Sequence, residues 1–208
     1  MWPDADKTKR LLEGARNGDD DAINRLLDRH RDALRRMVGI RLDQRIRQRV
    51  DVSDVIQDVL IEANRRLQDY LQNPGMPFHL WLRHIAKDRI IDAHRRHHAA
   101  AKRSVDRERS FAAPTPDHST IELVAQLCDR ELTPAAAATM QELSRKFAAA
   151  IEDLDEQDRE VVLMRHFEGL SNQEAAVALE LSQPAASMRY LRAMRRLREM
   201  LGESADDR

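Results

Sequence analysis

Three sets of residues have the types and spacing for chemistry. Asp51, Asp54 and Asp58 form a close run of carboxylates, the raw material of acid/base or metal catalysis. His94, His97 and His98 could present imidazoles to a metal ion. Arg189, Arg192, Arg195, Arg196 and Arg198 put five cations into ten residues, a density suited to phosphate. The first two sets fail as reaction centres. The aspartates stand at a helix start, with no partner histidine and no glycine-rich phosphate loop beside them. His97 and His98 are adjacent, so on a helix they diverge by about 100 degrees, and no nearby cysteine completes a ligand set. The expectation is a protein without metal, without cofactor and without catalytic residues. The cation run remains to be explained.

The composition narrows the class. The chain has 208 residues, of which 42% are hydrophobic, 34% charged and 4% aromatic. That is a globular, charge-rich chain with room for two small cores. Long β-branched runs are missing, so helix is favoured almost everywhere. No apolar stretch reaches the roughly 20 residues that span a bilayer, and the start "MWPDADKTKR" has no apolar leader core. Cys128 is the single cysteine and reads as a small buried hydrophobe. An intramolecular disulfide is impossible, which fits a cytoplasmic location.

Net charge is −1, which taken alone argues against a polyanion partner. The distribution argues the other way. Residues 78–109 carry nine Lys/Arg against four acids, with five histidines besides. Residues 183–201 carry five Arg against one Glu, while 117–160 hold eleven acids and four bases. Local fields, not the total, steer association with a polyanion.

The positioning elements are helices by period. Ile23, Leu26, Leu27, Leu34, Met37 and Val38 share one stripe. A second helix follows over "VDVSDVIQDVLIEANRRLQDYL", capped by Asp51 or Ser53, with Val55, Val59, Leu60, Ala63 and Leu67 inward. "QNPGMP" must break it. A third helix begins at Phe78, with Leu82, Ile85, Ala86, Arg89 and Ile90 in register. The stretch 110–120 is aperiodic and rich in Pro, Ser, Thr and Ala, the mark of a linker. The expected architecture is all-α. Two small helical domains, 1–103 and 135–208, are joined by a partly helical linker over 104–134.

The cation run lies in the second domain. Ser171 and Glu174 have capping-box spacing at the start of a short helix, "ELS" reads as a turn, and Ser182 caps the last helix. On that helix Ala186, Tyr190, Ala193 and Leu197 keep to one narrow arc and face the core. Arg189, Arg192 and Arg196 form a separate stripe about 60 to 100 degrees round. A short helix, a tight turn and a longer basic helix make a helix-turn-helix, whose second helix enters the DNA major groove.

Here the sequence resembles a family. "LDEQDREVVLMRHFEGLSNQEAAVALELSQPAASMRYLRAMRRLREML" is similar to region four of the sigma-70 family of bacterial transcription initiation factors, closest to the extracytoplasmic-function (ECF) group. "VDVSDVIQDVLIEA" resembles the region-two helix that binds the β′ clamp helices of core RNA polymerase. "FHLWLRHIAKDRIIDAHRRHH" resembles the segment that melts and reads the downstream (−10) promoter element. Region 1.1 and a full region three have no counterpart.

The resemblance implies roles for particular residues. Asp54, Gln57 and Asp58 would dock on core polymerase, with the β flap as a further contact of region four. Phe78 and the "NPGMP" loop would hold an unstacked base. Arg89, Arg95 and Arg96 would meet the −10 strand, with Trp81 either a stacking platform or part of the core. Gln183, Ser187 and Met188 would lie nearest the base edges of the upstream (−35) element, and Arg189 and Arg192 beside them. The sequence departs from the pattern at Asp88, where an Asn is frequent, and at Pro184, Ala185 and Ser187, where Gly, Thr and Lys are frequent. The implied partners are core RNA polymerase and promoter DNA. An anti-sigma factor, a kinase or the linker itself are the open choices for restraint. The alternative is a helix-turn-helix regulator with an N-terminal sensor or dimerisation domain, which predicts a dimer on a palindromic site.

Overall fold

The computed structural model describes the backbone of residues 2–42, 50–101 and 146–206, and side chains there except at 97–101 and 202–206. The linker read at 104–134, the helices read beyond it up to residue 145, and Cys128 lie outside the described residues. Every regular element among the described residues is helical, as the all-α expectation requires. The chain divides into two compact units, Met1–Arg109 and Ser110–Arg208.

The first unit is a four-helix bundle: α1 (Ala5–Arg16), α2 (Asp20–Arg41), α3 (Val52–Gln72) and α4 (Phe78–Ala101). Aspartate side chains start three of them. Asp4 accepts from the amides of Asp6 and Lys7, Asp19 from that of Ala22, and Asp51 from that of Ser53. Each satisfies amides that the first helical turn leaves unpaired. Sequence periodicity missed α1, although Thr8, Leu11, Leu12 and Ala15 are spaced for one inward face. The α1–α2 pair is set closely at Gly14, where a Cβ would stand 2.7 Å from that of Ala22.

The core of this unit is the arc read from the sequence. Leu26, Leu34, Met37 and Val38 on α2 meet Val55, Val59, Ala63 and Leu67 on α3, and Leu82, Ile85, Ala86 and Ile90 on α4. Aromatic rings close one end. The Phe78 ring lies edge-on to His30 at 5.1 Å and to Tyr70 at 5.4 Å, and Trp81 sits 4.7 Å from Tyr70. Trp2 comes in from the N-terminal segment against His30 and His79.

In the second unit residues 146–152 are helical. There follow α5 (Glu156–Val162), a π-helical turn (Leu163–Phe167), α6 (Asn172–Ala178) and α7 (Gln183–Asp206). Phe147, Ile151, Val161, Val162, Phe167, Ala175, Ala176, Ala186, Ala193 and Leu197 are all buried. The small alanines at 175, 176, 186 and 193 allow α6 and α7 to approach closely. Among the described residues no helix is long and apolar enough to cross a membrane.

Candidate nucleic-acid interface

The second unit builds the helix-turn-helix in detail. The turn into α6 uses Gly169 at φ 69°, a left-handed conformation that glycine adopts without a Cβ clash. Ser171 then accepts from the Glu174 amide at 3.2 Å, and the Glu174 carboxylate accepts from the Ser171 amide at 2.7 Å. That is the reciprocal capping box. At the other end, Leu181 N–H reaches Ala176 C=O at 2.9 Å and Glu180 N–H reaches Val177 C=O at 3.2 Å. The two bonds form a Schellman closure with Glu180, at φ 56°, in the place usually held by glycine. Ser182 Oγ accepts from the Ala185 amide to begin α7.

Side chains hold the two helices at a fixed angle. Asn172 donates to the Gln183 carbonyl at 3.1 Å and accepts from Arg165 at 3.3 Å. Arg165 lies 4.8 Å from the Tyr190 ring centre, a cation–π contact. A 2.6 Å hydrogen bond joins Tyr190 Oη to His166 Nε2. Burial pushes His166 down to about 4, so its ring is neutral at physiological pH.

On α7, Gln183 and Met188 are exposed, Met188 by 66%, while Ser187 is half-buried. Arg195, Arg196 and Arg198 are exposed. The expected pair, Arg189 and Arg192, has a different environment. Both reach back to Asp158 on α5, a carboxylate only 3% exposed. Arg192 donates through Nε at 2.9 Å and Nη2 at 2.8 Å, and Arg189 through Nη1 at 3.3 Å. The hydrogen bonds from Arg192 hold the Asp158 carboxyl below its usual range, so it is ionised at neutral pH. Sequence reading did not find Asp158, because it lies 34 residues from Arg192 and on another helix.

In the first unit the residues expected to act separately come together. Asp54, Gln57 and Asp58 are exposed on one face of α3, and the face continues to Ile61, which is 64% exposed. Asp58, Ile61 and Glu62 line a groove whose far wall is Arg89, Asp92, Arg95 and Arg96 of α4. Arg96 stands 3.7 Å from Asp58, and Arg89 stands 3.3 Å from Glu62 and 3.6 Å from Asp92. The face that the resemblance assigns to polymerase and the arginines that it assigns to DNA therefore share one groove with mixed charge.

One expectation needs correction. Phe78 is 3% exposed and enclosed by His30, Tyr70 and Trp81. Its ring offers no face to a base, and it serves as core. Half-buried Trp81 packs against Tyr70 and Phe78, so much of its ring is also committed to the bundle. The loop between α3 and α4 does remain at the surface, with Asn73, Pro74, Gly75 and Pro77 exposed. Tyr70 Oη donates to the Met76 carbonyl at 2.9 Å and fixes the loop from below. Arg83, one of the nine Lys/Arg of residues 78–109, is buried. His97 and His98 lie outside the described side chains.

A helical bundle in one unit and, in the other, a capped helix-turn-helix with a basic second helix define a two-unit helical protein of the DNA-reading class. The chain belongs to the ECF sigma factor family, whose model matches residues 5–202. It is therefore a transcription-initiation factor of bacterial RNA polymerase. It is 30% identical over 208 residues to the RNA polymerase sigma factor CnrH of Cupriavidus metallidurans, spanning 98% of this chain and 97% of that protein. It is 25% identical over 206 residues to the ECF RNA polymerase sigma factor SigD of Mycobacterium tuberculosis, spanning 99% and 89% of the two chains. Among solved structures, CnrH in complex with the cytosolic domain of CnrY matches with a TM-score of 0.59 at 26% identity, over 98% of this chain and 100% of that one. The sigma factor RpoE of Bartonella quintana, solved with the anti-sigma factor NepR, shares the fold at a TM-score of 0.53 and 20% identity, over 86% and 93% of the chains.

Proposed function

We propose that this sigma factor engages its promoter through three surfaces. The α3 face of Asp54, Gln57, Asp58 and Ile61 docks on the clamp helices of core RNA polymerase. An acidic, amide-bearing face with one exposed apolar side chain suits a basic helical partner. The α3–α4 loop and Arg95 and Arg96 take the opened −10 strand, the loop receiving an unstacked base and the arginines the phosphates. The N-terminal half of α7 enters the major groove of the −35 element. Gln183, Ser187 and Met188 lie nearest the base edges, and Arg189 and Arg192 lie beside the backbone.

The observation that carries the reading is the capped helix-turn-helix within a chain that matches the ECF family from residue 5 to residue 202. The protein works in the cytoplasm as a non-catalytic subunit, with no catalytic step assigned to its own side chains. Two structurally similar sigma factors were solved with partners, CnrY and the anti-sigma factor NepR. By that likeness an anti-sigma protein restrains this chain until its signal arrives.

Run-off transcription tests the reading. Core polymerase with a library of bacterial upstream sequences is assayed with and without the protein. Discrete transcripts that require both components are expected. No transcript, together with dimeric binding of a palindromic duplex in the absence of polymerase, would establish the ordinary helix-turn-helix regulator instead.

A further inference from the structure

We infer that Asp158 is a positioning residue for promoter reading: it fixes the guanidinium groups of Arg192 and Arg189 so that α7 discriminates between sequences instead of attracting any duplex. The inference rests on the reading above that α7 meets the −35 element.

The geometry is specific. Asp158 sits on α5, outside the helix-turn-helix pair, and its carboxylate is buried. Arg192 lies side-on to it, Nε on Oδ2 and Nη2 on Oδ1, at 2.9 and 2.8 Å. That two-bond arrangement fixes the plane of the guanidinium as well as its place. The Arg192 side chain is still 58% exposed, so the outer edge of the fork, including Nη1, remains available to DNA. Arg189 shares the same Oδ1 at 3.3 Å and lies 4.0 Å from Asp155, with its side chain 23% exposed.

Two consequences follow from the charges. Two cations on one buried anion leave a single positive charge, so this part of α7 attracts phosphate less than its sequence implies. A free arginine reaches whichever phosphate is near, which gives affinity without sequence information. A guanidinium held by a second group accepts a partner in one orientation only, and the ordering cost is met during folding rather than on binding. Asp158 therefore lowers general attraction and sharpens selectivity at once. A purely structural tie between α5 and α7 would lower the attraction through the same charge but would leave selectivity unchanged.

The test uses the full-length chain and two duplexes of equal length. One is selected from a random library by the wild-type protein bound to core polymerase; the other is random in sequence. Both are titrated at several salt concentrations. Asp158→Asn should bind the random duplex more tightly, with a salt slope steeper by up to about 0.9, the value of one added phosphate contact. Its preference for the selected duplex should fall by at least about fivefold, because the backbone contact that holds Gln183, Ser187 and Met188 in register with the base edges is no longer oriented. Arg192→Lys keeps Asp158 and the net charge but cannot form the fork. It should lose preference without steepening the slope. Helix content and melting temperature show that each variant is folded at the assay temperature. A folded Asp158→Asn with wild-type slope and preference overturns the inference. If that variant does not fold, wild-type preference in Arg192→Lys overturns it instead. Arg192→Ala separates the two levels. If it weakens duplex binding while Asp158→Asn changes nothing, only the inference fails; if it leaves both duplexes bound as before, the docking of α7 fails and the inference with it.

Discussion

Arg89 on α4 reaches across the bundle to Glu62 on α3, Nη2 to Oε2, at 3.3 Å. Glu62 also accepts from Arg65 at 2.6 Å and from Arg66 of its own helix. Three arginines thus converge on a carboxylate that the bundle leaves about one-tenth exposed. The pair joins the helix proposed to dock on polymerase to the helix proposed to hold DNA.

Glu62→Gln is therefore expected to lower the melting temperature of the full chain, and to do so less in high salt, where the wild-type pairs are screened. The acid limb should change as well. The Arg65 hydrogen bond holds the Glu62 carboxyl below its usual range. Its contribution is present above the unfolded value and is lost as pH falls through the lower folded value. The Gln variant should show a flatter loss of stability below about pH 4.5. Thermal melts from pH 3 to 7 would refute the role if wild type and variant ran parallel throughout.

His30 should give a second pH dependence of opposite origin. It is buried at the aromatic end of the bundle, with Nδ1 on the Leu26 carbonyl at 2.8 Å. Burial pushes it down to about 4, with Arg29 and His79 adding to the effect. The unfolded chain binds this proton near pH 6.5, so stability is complete above that value and declines as pH falls to about 4. The slope contributed by one such histidine is at most about 1.4 kcal/mol per pH unit. His30→Leu should be less stable at pH 7.5, having lost its edge contact with Phe78, yet flatter between pH 6.5 and 4. Denaturant titrations across that range decide it, and equal slopes would mean that His30 does not stay neutral when folded.

Much of this architecture was legible in the sequence because it is local. The Ser171–Glu174 capping box and the inward arc of Ala186, Ala193 and Leu197 depend on residues three to eleven positions apart, and periodicity reports those. Asp158 and Glu62 were not legible. Each looks like one more polar residue on a helix, and its role is decided by an arginine on a different helix. Phe78 is ambiguous for a related reason: an aromatic at a helix start after "NPGMP" has the same local sequence whether it faces a base or His30. Period alone does not reveal α1, whose inward face is only Thr8, Leu11, Leu12 and Ala15, although Asp4 caps it directly and Trp2 packs against the bundle.

Glu180 offers a prediction about the turn itself. It holds φ 56° in the Schellman closure after α6, a conformation that costs a side-chain-bearing residue roughly 1–2 kcal/mol. Glycine escapes that strain but loses about 0.5–1 kcal/mol of chain entropy on folding. Glu180→Gly is thus expected to stabilise the second unit by up to about 1 kcal/mol, visible as a rise of a few degrees in its melting transition. No rise, or a fall, would show that the Glu180 side chain supplies a contact worth more than the strain.

The docking face proposed on α3 allows the sharpest test of the polymerase contact. Asp54, Gln57, Asp58 and Ile61 recur at helical spacing and all are exposed. Ile61 is the apolar member, and at 64% exposed it contributes little to packing within the bundle. Desolvated apolar anchors commonly contribute more than 1 kcal/mol to an interface. Ile61→Ala should therefore weaken association with core polymerase by about fivefold or more, while its melting temperature stays at the wild-type value. Charge reversal needs more care. Asp58 stands 3.7 Å from Arg96, so Asp58→Lys also places two cations together. Asp54→Lys is the cleaner change and should weaken association by about tenfold, more at low salt than at high salt. Combining Asp58→Lys with Arg96→Glu restores an opposite-charge pair across the groove but leaves the outward face altered. If the groove pair alone mattered, the double variant would recover core binding; if α3 docks as proposed, it stays weak. Surface-immobilised core polymerase titrated with each folded variant distinguishes the two, and full binding by Asp54→Lys and Ile61→Ala together would move the polymerase contact off this face.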